Sequence, residues 1–149
     1  MLRTISVILL LSFAVATGLA QSSAFSDKAG SVYDELAKAP GKAVARRNPL
    51  DHDPDAVAAG AKLFEMHCAE CHGASGEGGT GSKKGPSLRV NDVQQATPGS
   101  LFWLLTNGVV RRGMPVWSKL PEPQRWQLVS YIKSLGLPPR AETEGNRRP

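Results

Sequence analysis

Cysteine is scarce: the 149-residue chain has two, too few for a disulfide-dense scaffold. Alternation of apolar and polar residues is missing, so no strand is expected. Compositional extremes are missing too. Apolar residues make up 41% and charged residues 21%, which excludes a wholly disordered, collagen-like or multi-span membrane chain. Glycine and proline together are 26 of 149 residues, short of low complexity but enough to demand much loop. Beyond the first twenty residues, no apolar run is long enough to span a membrane.

Residues 1–20 open with a short positive start at Arg3, continue as an apolar stretch and close on Gly18, Leu19 and Ala20. They read as a secretory signal peptide, which makes the expected location periplasmic. An uncleaved N-terminal membrane anchor is the alternative for so short a run. Residues 21–53 hold five basic and five acidic residues and form an N-terminal extension, a strap over the domain or a linker. A short helix is expected over 31–39, stopped by Pro40 and Gly41. Residues 138–149 contain one clear apolar residue and are expected to be a disordered tail.

The compact domain spans 54–137 and is expected to be all-α with long loops. Its first helix starts where Asp53 can cap, Pro54 suits the first position and Asp55 suits the positive end of the dipole. Val57, Ala61, Phe64 and Cys68 recur at helical spacing and predict one buried stripe. Residues 73–85 carry six glycines and must be loop. A second helix starts at Thr97 and Pro98, carries Leu101, Trp103, Leu104 and Leu105, and stops at Asn107 and Gly108. A third starts near 121–123 and carries Trp126, Leu128, Val129, Tyr131, Ile132 and Leu135 to a stop at Gly136.

The chemistry concentrates in Cys68-Ala69-Glu70-Cys71-His72, the C-x-x-C-H attachment pattern for a c-type haem. On a helix, residues 68 and 72 share a face. Both sulfurs can then add to the two vinyl groups on one porphyrin edge, with His72 placed under the iron. A thioredoxin-like dithiol would sit beside a βαβ pattern, which is missing. A structural zinc needs four tetrahedral ligands, and His67, Cys68, Cys71 and His72 are too crowded to wrap one ion. A plain Cys68–Cys71 disulfide is the remaining alternative.

The sixth iron ligand follows by elimination. After residue 20 there are two methionines, and Met66 lies too near Cys68 to reach the opposite haem face. Met114 sits in a loop between Gly113 and Pro115, and a thioether opposite imidazole raises the reduction potential. Core filling by Met114, or ligation by His52, are the other readings.

These residues resemble the single-haem class I c-type cytochromes of bacterial electron-transfer chains, over roughly residues 54–137. The resemblance implies three to five helices packed around one covalent haem c, with His72 and Met114 as axial ligands. It implies that Gly60 and Phe64 on the first helix meet Leu128 and Tyr131 on the last. It also implies that the Pro86 carbonyl in Gly85-Pro86-Ser87-Leu88 accepts from His72, and that Trp117 lies over the haem edge. The extension 21–53 departs from small family members.

The expected function is electron transfer, not catalysis. The expected partners are exported dehydrogenases or terminal oxidases. The alternative is a haem enzyme subunit or a gas or redox sensor with a labile sixth ligand. Residues 54–137 hold nine basic and six acidic residues. Lys83, Lys84, Arg89, Arg111, Arg112 and Lys119 are expected near the haem crevice, where they would steer an acidic docking face. Basic residues scattered among glycines on an exported chain argue against nucleic acid.

Overall fold

The computed structural model describes residue 31, residues 33–82 and residues 84–136. The expected signal peptide over 1–20, residues 21–30 and Val32 of the extension, Lys83, Leu137 and the expected tail over 138–149 lie outside the described residues. Among the described residues there are seven α-helical segments and no strand. They are α1 (Asp34–Ala37), α2 (Gly41–Val44), α3 (Pro54–His67), α4 (Ala69–His72), α5 (Asn91–Gln95), α6 (Pro98–Asn107) and α7 (Glu122–Ser134). Three are long; the other four are single turns set in loop.

The long helices α3 and α6 start where their caps are. The Asp53 carboxylate accepts from the N–H groups of Asp55 and Ala56, ahead of Pro54. Thr97 Oγ1 accepts from Ser100 N–H, ahead of Pro98. Each pair satisfies donors that the first turn leaves open and presets the entry dihedral.

α3 packs across α7. Gly60 makes the crossing possible: a Cβ there would stand 2.1 Å from the Gln127 carbonyl oxygen. One turn on, the Phe64 and Tyr131 rings meet at 5.1 Å. The buried stripe of α3 is therefore Ala56, Gly60, Leu63 and Phe64. Val57 and Ala61, expected there, are only half-buried. The stripe is rotated because a glycine, which apolar periodicity discounts, occupies the tightest contact.

α6 lies against the other side of α7, with Phe102 stacked on Trp126 at 4.1 Å. Trp126, Phe64, Leu128 and Val129 are the largest fully buried side chains, each contributing about 1.5–3 kcal/mol by leaving water. On α6, Leu101, Phe102 and Leu105 are buried, whereas Trp103 and Leu104 are half-buried. That helix is apolar on more than one side, so periodicity could not choose its face.

Residues 33–53 lie against the helical core. Leu36 packs on the core cluster. Buried Asn48 donates to Ser130 Oγ at 2.8 Å and to the Trp126 carbonyl at 3.4 Å. Arg46 pairs with Glu122 at 2.6 Å and lies over the Phe102 ring. The described part of the extension is thus a strap fastened to α6 and α7.

Candidate functional site

The C-terminal end of α3 delivers Cys68, and α4 continues the chain with Cys71 and His72. The Cys68 carbonyl accepts from the N–H groups of Cys71, at 3.1 Å, and His72, at 2.9 Å. That is one helical turn, so the two thiols and the imidazole project from one short rigid segment. Both cysteines are free thiols. Burial, then Cys71, pushes the Cys68 thiol up to about 12. A thiol held protonated lacks the low-pKa nucleophile that dithiol exchange needs.

The loop after α4 folds back onto it. Gly78 N–H donates to the His72 carbonyl at 2.7 Å, and Gly85 N–H donates to the Cys71 carbonyl at 2.8 Å. Gly79 passes so close that a Cβ would stand 2.0 Å from the Cys71 carbonyl oxygen. This folding back carries Pro86 to His72, where Nδ1 and the Pro86 carbonyl oxygen are 2.8 Å apart. Nδ1 is then the donor, which leaves the Nε2 lone pair free for a metal.

Met114 arrives from the other end of α6. After Gly108 the chain makes a 3₁₀ turn over Val110–Arg112 and returns through Gly113, whose φ of 86° lies in the left-handed region that glycine occupies without strain. Val109 and Met114 exchange two backbone hydrogen bonds, at 3.0 and 3.2 Å. Trp117 N–H donates to the Leu105 carbonyl at 3.0 Å, pinning the loop to α6. The Met114 side chain is half-buried and packs against the core cluster that contains Cys68.

The residues present fit a covalent haem. Two free thiols and an imidazole with an oriented tautomer share one turn, and a half-buried thioether comes from a separate loop. Trp117 packs on the core and against the His67 ring, 5.1 Å between centroids. His67 therefore has an aromatic partner. The other candidate ligands turn outward: the His52 side chain is 92% exposed and Met66 is 66% exposed. Arg111 and Arg112 approach Glu35 of the strap, at 3.8 and 4.0 Å. Sequence reasoning missed that contact, because Glu35 and Arg111 are far apart in the chain and no local pattern links them.

Residues 55–132 match the family described as cytochrome c oxidase, cbb3-type, subunit III. The chain is 32% identical over 132 residues to the cbb3-type cytochrome c oxidase subunit CcoP of Rubrivivax gelatinosus, covering 85% of this chain and 40% of that protein. It is also 32% identical over 94 residues to subunit FixP of Sinorhizobium medicae, covering 56% of this chain and 32% of that protein. The chain thus spans well under half the length of either relative. Among solved structures, cytochrome cL of Methylophaga aminisulfidivorans shares the fold, with a TM-score of 0.51 and 21% identity. That match covers 72% of this chain and 70% of the other.

Proposed function

Because the chain belongs to the family of the cbb3-type cytochrome c oxidase subunit III, we propose that it is an electron carrier, a single-haem class I c-type cytochrome that transforms no substrate. Haem c, one per chain, supplies a one-electron couple between ferrous and ferric iron. Cys68 and Cys71 hold it by two thioether links, which prevents its loss. His72 Nε2 would supply one iron ligand, oriented for that role by the 2.8 Å contact of Nδ1 with Pro86. Met114 would supply the second iron ligand, and a soft sulfur there would favour the reduced state. Trp117, packed on the core beside His67, would lie close to the bound group.

The His72–Pro86 contact carries this reading, because it fixes the tautomer that leaves Nε2 available to a metal. The partners are redox proteins on the exported side of a membrane. An oxidase is favoured as acceptor by the names of the relatives. The basic residues Lys84, Arg89, Arg111, Arg112 and Lys119 suit an acidic docking face with fast, weak, salt-sensitive encounters. Among the described residues, no helix is long and apolar enough to cross a membrane.

Potentiometric titration of the haem-loaded chain tests the proposal. One reversible one-electron step, with low-spin spectra in both states, is the expected result. A high-spin resting form that binds carbon monoxide without denaturant would make the protein an enzyme or sensor instead.

A further inference from the structure

The segments that carry His72 and Met114 lie far apart in sequence, and one short stretch of the strap, Tyr33 with α1, touches both. Tyr33, immediately before α1, donates its hydroxyl to the Ser87 carbonyl at 3.1 Å. Ser87 follows Pro86, the carbonyl partner of His72. In α1 itself, the Glu35 carboxylate lies 3.8 Å from Arg111 Nη2 and 4.0 Å from Arg112 Nε. Those arginines form the turn that leads into Met114. The Glu35 side chain is only 13% exposed and is held by Lys38 at 2.7 Å. α1 is itself fixed, with Leu36 on the core and Ala39 buried, and the strap beyond it is tied to α7 through Asn48.

We infer that α1 is a clasp across the cleft, with Glu35 and Tyr33 as positioning residues for the two iron ligands. Glu35 holds the Met114 loop closed against incoming ligands. Tyr33 steadies the peptide that orients His72. The inference rests on the ligand assignment proposed above, so its test reads that assignment first. The carboxylate–guanidinium contacts are partly exposed, which makes the hold modest and sensitive to salt.

The experiment is an imidazole titration of the full-length ferric haem protein at low and at high salt, after recording the far-red sulfur-to-iron charge-transfer band. Absence of that band in the unaltered protein would overturn the Met114 assignment, and the clasp with it, before any variant is compared. With the band present, Glu35→Gln raises imidazole affinity about two- to five-fold at low salt and removes the salt dependence. Arg111→Gln gives a smaller rise in the same direction. Asp34→Asn, an exposed acid on the same helix, changes neither. Tyr33→Phe leaves imidazole affinity unchanged and raises the reduction potential, because a looser Pro86 carbonyl makes His72 a weaker donor. Equal imidazole affinity in Glu35→Gln and the unaltered protein, or an equal gain in Asp34→Asn, overturns the clasp. An unchanged potential in Tyr33→Phe overturns the role given to Tyr33.

Discussion

The histidine side and the methionine side of the cleft are built on different principles. The histidine wall is backbone against backbone: Gly78 and Gly85 donate to the carbonyls of His72 and Cys71, Gly79 donates to Gly85, and Leu88 donates to Gly76. The Tyr33 hydroxyl adds one side-chain bond, to the Ser87 carbonyl. The methionine wall has one two-bond bridge, Val109 to Met114, the Trp117 pin and the partly exposed contacts of Arg111 and Arg112 with Glu35, with Val110 and Val116 exposed. The difference teaches that one proposed ligand is fixed by main-chain bonds and the other by a loop with fewer ties. If His72 and Met114 are the ligands, as proposed, the imidazole would be held more rigidly than the thioether.

The contrast can be broken most sharply at glycine. Gly79→Ala drives a Cβ to within 2.0 Å of the Cys71 carbonyl, so it should cost about 3 kcal/mol and impair haem attachment. Denaturant unfolding of the haem protein measures it. Met114→Ala removes a half-buried side chain and the proposed ligand. It should cost about 2 kcal/mol, lower the reduction potential and let carbon monoxide bind, while the His72 wall stays formed. An unchanged potential would show that Met114 is no ligand. Gly113→Ala meets no atom within 4 Å and carries only the penalty of its left-handed φ, about 1 kcal/mol. If Gly113→Ala proved as damaging as Gly79→Ala, the two walls would be equally rigid.

The smallest effect concerns acid. Glu77 on the histidine side is held by its own N–H and by Ser75. Glu35 on the methionine side is held by Lys38 and the two arginines, and Glu122 by the Trp126 indole and Arg46. All three carboxyls lie below the ordinary value of 4.5. A carboxyl depressed on folding adds stability that is complete above its unfolded value and is lost as pH falls through the folded one. Stability should therefore stay level from neutral pH down to the ordinary carboxylate range and decline below it. Denaturant midpoints across that range measure it, and a decline beginning near neutrality would assign the acid response to other groups.

What was legible in the sequence is what local chemistry encodes. Asp53 with Pro54, and Thr97 with Pro98, announce helix starts from neighbouring residues alone. The motif at 68–72 states its chemistry by spacing, and the resemblance placed Phe64 on Tyr131 and Pro86 beside His72, where both contacts are found. The strap was one of two readings of residues 21–53 and its described part is found, but the contacts that fasten it were not legible. Tyr33 to Ser87, Glu35 to Arg111 and Asn48 to Ser130 join polar residues from distant parts of the chain, and in sequence such residues look like solvated loop. The single turns α2 and α5 are too short to show a period. Phe102 was overlooked because neighbouring apolar residues on α6 masked which of them faces Trp126.

The central claim is that Cys68 and Cys71 carry a porphyrin on the turn that presents His72. Intact-mass spectrometry of the purified, acid-unfolded protein tests it directly. The expected mass is that of the chain plus one haem, retained through unfolding and lost in the Cys68→Ser, Cys71→Ser double variant. An unmodified chain mass, from cells competent in haem attachment, would contradict it.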